Sequence, residues 1–286
     1  MVINGLTILG LMRYKMKNDA YKASNKFPNA TYKQYRTDIE EFVRETEDRF
    51  RNIWQTSLRQ NVHILTDTTQ DRIEQDLERV EEAFQAAIVA LAMERKIKRM
   101  AESASRKAIR GLRQELQVIL GEDFVPLISR RTLDKFVKQT INQNVNLIQS
   151  IASNQHDEIE RLIYKGARSG WSMNELEDKI FDQFEDSRGR ANVIAMTEVG
   201  SLQSAVNRQI QKEQLGLKFF RWLGIPDSRI RPKHEAVASN IGGESYYSWS
   251  NPPQGIVPGE EVNCRCWAQP LAREVKEKFG GRVNIE

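Results

Sequence analysis

Cys264 and Cys266 are the chain's two cysteines, and they stand one residue apart. On an extended strand alternate side chains share a face, so both thiols would project together and Arg265 away from them. His234 adds a nitrogen donor, and Asp227 or water could complete a tetrahedral zinc site. Such a site would staple a loop-rich segment. The same residues allow a plainer reading, with both cysteines as small buried hydrophobes and His234 hydrogen-bonded in the fold. The donor count leaves the two open, because structural zinc normally takes four protein ligands and this pattern supplies three.

Asp227, Arg229, Arg231 and Arg265 form a second group. Arginine forks grip carboxylates or phosphates through two parallel hydrogen bonds, and pairing within the fold is the expected role here. Asn251-Pro252-Pro253 and Pro258-Gly259 would hold the intervening loop against the strand, under Trp249 and Trp267. Other catalytic patterns are absent: there is no Gly-rich phosphate loop, no HExxH and no serine in a nucleophile elbow. His63, His156 and His234 are the histidines. Glu198, on an amphipathic stretch, could be a buried acid, but no paired acid and base is visible. Structural binding is therefore expected rather than catalysis. The alternative is a metal-dependent hydrolase or nuclease that uses His234, Cys264 and Cys266 as ligands and Asp227 or Glu198 as acid or base.

The elements that must position these residues follow from apolar spacing. In a chain of 286 residues, 29% charged and 8% aromatic, long solvated helices with narrow apolar stripes are expected, in two domains. The fold class is mainly α, with a long helical hairpin or bundle followed by a compact, loop-rich α+β C-terminal module. Residues 1–30 read as an arm. Its apolar start, Val2 to Met12, has no cationic leader, so it is not a cleavable signal. No segment has the apolar length for membrane insertion, and a lone CxC pair suits a reducing compartment or a metal.

Residues 31–165 read as an elongated helical bundle. Tyr35, Ile39, Phe42, Phe50, Ile53 and Trp54 mark its first helix, over about 31–58. A second starts at a cap in Asp67-Thr68-Thr69 and carries Ile73, Leu77, Val80, Phe84, Ala87 and Leu91, then Ile109, Leu112, Leu116 and Leu120. Gly121 and Pro126 should end it. A third runs from near Arg131 through Leu133, Val137, Ile141, Val145, Ile148, Ile159 and Leu162 towards Gly166 and Gly170. The C-terminal module is read as 171–286. It opens with a Ser172-capped helix through Phe184, followed by another from Arg188 to Leu215. Gly216 stops that helix before an aromatic strand at 217–223, and the motif core covers 218–270.

The net charge of +4 is the sum of 43 basic and 39 acidic residues and hides segregation on the second helix. Glu74, Asp76, Glu78, Glu81 and Glu82 crowd its first half. Arg95, Lys96, Lys98, Arg99, Arg106, Lys107, Arg110 and Arg113 follow with little acidic opposition, so a nucleic-acid backbone or an acidic protein surface could dock there. A solvated face is the plain alternative, since no stacking aromatics accompany them.

Asp227-Ser228-Arg229-Ile230-Arg231-Pro232-Lys233-His234, a Pro/Gly loop, and Asn263-Cys264-Arg265-Cys266 together resemble the Mu F-like family of phage head morphogenesis proteins. Ala195-Met196-Thr197-Glu198 and Gly170-Trp171-Ser172 resemble its lead-in, so the likeness spans about 170–270. Many relatives carry arginine before the Thr-Glu pair, where this chain has Met196; Thr197 and Glu198 are retained. The resemblance implies a minor head protein of a tailed phage, located in the virion at the head interior or portal vertex. Its implied partners are portal, capsid or scaffold proteins, with nonspecific DNA contact, and its implied task is to assist head assembly, DNA packaging or ejection. Some relatives carry a further toxin or enzyme domain; none is expected in the 20 residues that follow Cys266.

Overall fold

The computed structural model describes residues 27–62, 67–120, 130–241 and 243–280. Residues 1–26 of the expected arm, His63, and the breakers Gly121 and Pro126 lie outside the described residues, as do the side chains of Asp67, Thr68 and Leu133. The described chain forms two compact units. One comprises the described residues within 30–101 and 138–198; the other comprises those within 27–29, 102–137 and 199–280.

The predicted apolar stripes become buried helix faces. Helix α1, Asn29–Ile53, buries Tyr35, Ile39, Phe42, Val43 and Phe50, then opens into a π turn over Trp54–Leu58. Helix α2, Asp67–Ala90, buries Ile73, Leu77, Val80, Phe84 and Ala87, the seam read from the three-four spacing. The second helix was expected to continue to Leu120. Instead it breaks at Leu91-Ala92, where Ala92 takes φ 49°, and α3 restarts at Met93–Leu120. Neither glycine nor proline marks this break, and a left-handed alanine is uncommon enough that spacing alone cannot foresee it.

Helix α4, Arg130–Ser169, ends at Gly170, whose φ of +66° lets the Trp171 N–H reach the Gly166 carbonyl at 3.0 Å. Ser172 then caps α5, Met173–Arg208: its Oγ accepts from Glu175 N at 3.2 Å while Glu175 Oε2 accepts from Ser172 N at 3.3 Å, a reciprocal capping box. The expected break before Arg188 does not occur. Phe184, Ser187, Ala191 and Ala195 are all buried, and this unbroken three-four spacing carries the helix through Asp186-Ser187-Arg188-Gly189. Phe50, Phe84, Phe181 and Phe184 meet as rings 5.8–6.3 Å apart and centre the core of that unit.

Beyond α5 a π turn, Gln209–Gln214, and Gly216 at φ +60° redirect the chain into β1, Phe219–Leu223. This is the central strand of a three-stranded antiparallel sheet, between β2, Tyr247–Ser248, and β3, Trp267–Pro270. A short helix α6, Pro232–Val237, follows β1, and α7, Ala272–Phe279, follows β3. Glu274 of α7 accepts hydrogen bonds from the Lys218 and Phe219 N–H groups at 2.6 and 3.0 Å, satisfying donors at the entry to β1. Phe220, Trp222, Ala238, Trp249, Val257, Cys264, Cys266 and Ala268 form one buried cluster. The architecture is mainly α with a small α+β C-terminal module, as the sequence indicates.

Candidate functional site

Local chain geometry brings His234 to the cysteines. Arg231 is extended before Pro232, which occupies the first turn of α6, because a proline disfavours helical backbone in the residue before it and is itself preset for a helix start. His234 follows inside α6 and is 3% exposed, with the Trp222 ring edge-on at 5.6 Å. The cysteines do not lie on the strand expected of them. A turn closed by Cys264 N–H to the Glu261 carbonyl at 3.0 Å, with Asn263 at φ 57°, delivers Cys264-Arg265-Cys266 just ahead of β3. Both thiols still face one way. Sγ of Cys264 is 3.5 Å and Sγ of Cys266 3.8 Å from His234 Nδ1.

The other ring nitrogen, Nε2, is 2.7 Å from Glu261 Oε2. The carboxylate there accepts a hydrogen bond from Nε2–H, the tautomer that leaves the Nδ1 lone pair facing the two sulfurs. Glu261 also binds Lys233 at 2.5 Å and Arg231 at 3.2 Å, and the hydrogen bonds from Lys233 first and His234 second hold its carboxyl below the usual range against the effect of burial. A hydrogen bond from Cys266, helped by nearby His234, brings the Cys264 thiol down to about 6 against the effect of burial, while Cys266 moves the opposite way. Two soft sulfurs and one imidazole nitrogen constitute a donor set for a thiophilic metal.

Asp227, expected as a possible fourth ligand, has another occupation. Its oxygens accept from both ends of the Arg265 guanidinium at 2.6 and 2.8 Å and from Arg229 at 2.9 Å, which is the internal pairing the sequence suggested. It is not among the convergent donors, which are His234, Cys264 and Cys266. Arg231 turns to Glu261 and to the Val262 carbonyl. A pocket beside the donors is lined by Ile225, Arg229, Arg231, Asn263 and Arg265 together with His234 and the cysteines.

A supporting surface on α5 and the π turn beyond it escaped the sequence reading. A Cβ on Gly200 would stand 2.9 Å from the Cys264 carbonyl oxygen, Ser204 Oγ donates to the Pro258 carbonyl at 2.6 Å, and Gln211 Nε2 donates to the Ala268 carbonyl at 3.0 Å. The helix thus seats the cysteine loop through its main chain. The available signal was the small and polar Gly200, Ser204 and Gln211, four and seven residues apart and so near one face of a helix.

Glu198 belongs to the other unit, where Asn144 donates to it at 2.8 Å and accepts from Tyr35 Oη at 2.6 Å. Burial raises the Glu198 carboxyl above its ordinary range, opposed by the Asn144 hydrogen bond. Thr197 precedes it and is half-buried. A carboxyl raised in the fold loses stability as pH climbs through its titration range. Glu198→Gln keeps the acceptor and is expected to melt no lower than wild type at neutral pH. Glu198→Ala leaves one of the two Asn144 amide N–H groups without a partner, the other donating to the Thr140 carbonyl at 2.9 Å, and should cost about 1–3 kcal/mol; thermal melts of both at neutral and acidic pH check the pair.

The basic residues all lie on α3. Lys96 does meet acidic opposition, since it pairs with Glu41 at 2.6 Å and approaches Asp38 at 3.9 Å; the sequence could not show that α1 supplies those carboxylates. Arg106 pairs with Glu102 at 3.4 Å. Arg95, Lys98, Arg99, Lys107 and Arg110 are exposed, and Arg113 is half-buried. No described helix is long and apolar enough to cross a membrane.

Comparison with known proteins bears on the same segment. Residues 157–269 match the family described as Phage Mu protein F like protein, a span that includes α5, β1, α6 and the cysteine turn. The chain is also similar to an uncharacterized protein of Haemophilus influenzae, 29% identical over 129 residues, which cover 45% of this chain and 28% of that protein. The match thus spans under a third of that relative's length. No solved structure matches.

Proposed function

We propose, from the match of residues 157–269 to the family described as Phage Mu protein F like protein, that this chain is a minor head protein of a tailed phage, a structural part of the virion. It acts by binding at the portal vertex, where it assists head assembly and the packaging or ejection of DNA. The family match carries this reading. The site supports it, since Asp227, the nearest candidate for an acid or base, is held by two arginines. The helices of residues 31–165 meet portal, capsid or scaffold subunits, and the exposed basic residues of α3 contact DNA through its phosphates.

The test is sedimentation of the full chain with portal rings of its phage, with duplex DNA as the second ligand. Co-sedimentation with the portal is expected, along with DNA binding that weakens steeply with salt. A chain that ignores both, and is absent from purified virions, sinks the reading.

A further inference from the structure

We propose that His234 Nδ1, Cys264 Sγ and Cys266 Sγ bind one zinc ion, that Glu261 orients the histidine for it, and that the fourth coordination position opens onto the adjacent pocket. The first support is metric. Tetrahedral zinc with ordinary Zn–S and Zn–N bonds of about 2.3 and 2.0 Å sets nitrogen and sulfur roughly 3.6 Å apart. Here the two nitrogen–sulfur separations are 3.5 and 3.8 Å, and all three donor atoms lie within 4.8 Å of one another. A nucleophilic dyad needs one thiol at the imidazole. Two sulfurs at similar distances from a single nitrogen are the arrangement of a shared ion.

The second support is the far side of the ring. Glu261 at 2.7 Å from Nε2 completes a carboxylate–histidine–metal relay, which fixes the tautomer that ligates through Nδ1 and makes that nitrogen more basic. Lys233 and Arg231 in turn hold the carboxylate. The third support is charge. His234, Cys264 and Cys266 are 3%, 3% and 8% exposed, and a buried pair of thiolates costs far less when a divalent ion neutralises it. Binding releases the remaining thiol protons to solvent.

The donor set stops at three among the described residues. Asp227 is committed to Arg265 and Arg229, and Glu261 faces the opposite nitrogen. The fourth position therefore falls to water or a small exogenous ligand on the pocket side, lined by Arg229, Arg231 and Asn263.

The experiment uses the intact chain. Elemental analysis of protein expressed with zinc should give about one ion per chain, and cobalt in its place should give thiolate charge-transfer and intense tetrahedral d–d bands. Glu261→Gln should weaken zinc roughly ten- to a hundredfold in competition with a chromophoric chelator, with circular dichroism unchanged. Azide should shift the cobalt bands. A wild-type chain that carries no zinc, takes up none on incubation and shows no cobalt–thiolate bands overturns the site without any variant. An unaltered affinity in Glu261→Gln overturns the role of Glu261, and bands indifferent to azide overturn the open position. Zinc content and portal binding are separate measurements, so this inference and the virion reading fail independently.

Discussion

Arg265→Met is expected to destabilise the unit that holds the cysteine turn by about 2–3 kcal/mol, because it removes both hydrogen bonds of a largely buried guanidinium and leaves Asp227 with the exposed Arg229 alone. The Arg265 side chain is 10% exposed and that of Asp227 30%, so solvent screens the pair only in part. The contact is bidentate at 2.6 and 2.8 Å, and methionine keeps the packing length while removing both hydrogen bonds. Asp227→Asn should cost less, since the amide still accepts one bond. The double variant should lose less than the sum of the two, and denaturant titrations of all four chains measure that coupling.

Acid should act on the same pair with a definite sign. Arg265 first, then Arg229, holds the Asp227 carboxyl far below its ordinary value of 3.8. The stabilisation is therefore fully present above the unfolded carboxyl's pKa and is lost as pH falls below it towards the folded one. Wild-type protein should lose melting temperature over that acid range more steeply than Arg265→Met. Parallel slopes in the two chains would remove this pair from the acid response.

Gly259→Ala carries the other large effect, about 2–4 kcal/mol, from two sources that add. Gly259 sits at φ +89°, and a Cβ there would stand 3.0 Å from Ser204 Cβ and 3.2 Å from both the Cys266 and Gly200 carbonyl oxygens. Neither neighbouring backbone can yield without moving α5 or the cysteine turn. Gly170→Ala separates the two sources: its φ is +66°, with nothing within 4 Å of the added carbon. It should show the backbone cost alone, about 1–2 kcal/mol. Equal losses in the two variants would mean that the loop does not depend on close approach to the helix.

The comparison of sequence with structure turns on which groups act. Helix faces such as Ile73-Leu77-Val80-Phe84 were legible because burial imposes a period, and burial is what held them. The gathering of His234 with Cys264 and Cys266 was legible from residue types. Their place was misread: Cys264 and Cys266 lie between a turn that has Asn263 in the left-handed region and the start of β3, rather than on the strand itself. Glu261 went unnoticed because a surface-coded glutamate in a loop shows no sign of the ring it will orient. Lys96 was read as unopposed because its carboxylates come from α1, far away in sequence. The continuity of α5 was hidden for a different reason. Asp186-Ser187-Arg188-Gly189 has local preferences for a break, and tertiary burial on either side outweighs them.

A helix that recognises carbonyl oxygens of Pro258, Cys264 and Ala268 makes no demand on the identity of the side chains between them. Val262 lies on the outer side of this loop and is 55% exposed. Substitution at such an outward position leaves the anchorage intact, so the outer face of the loop can change in chemistry while the donor cluster beneath it stays in place.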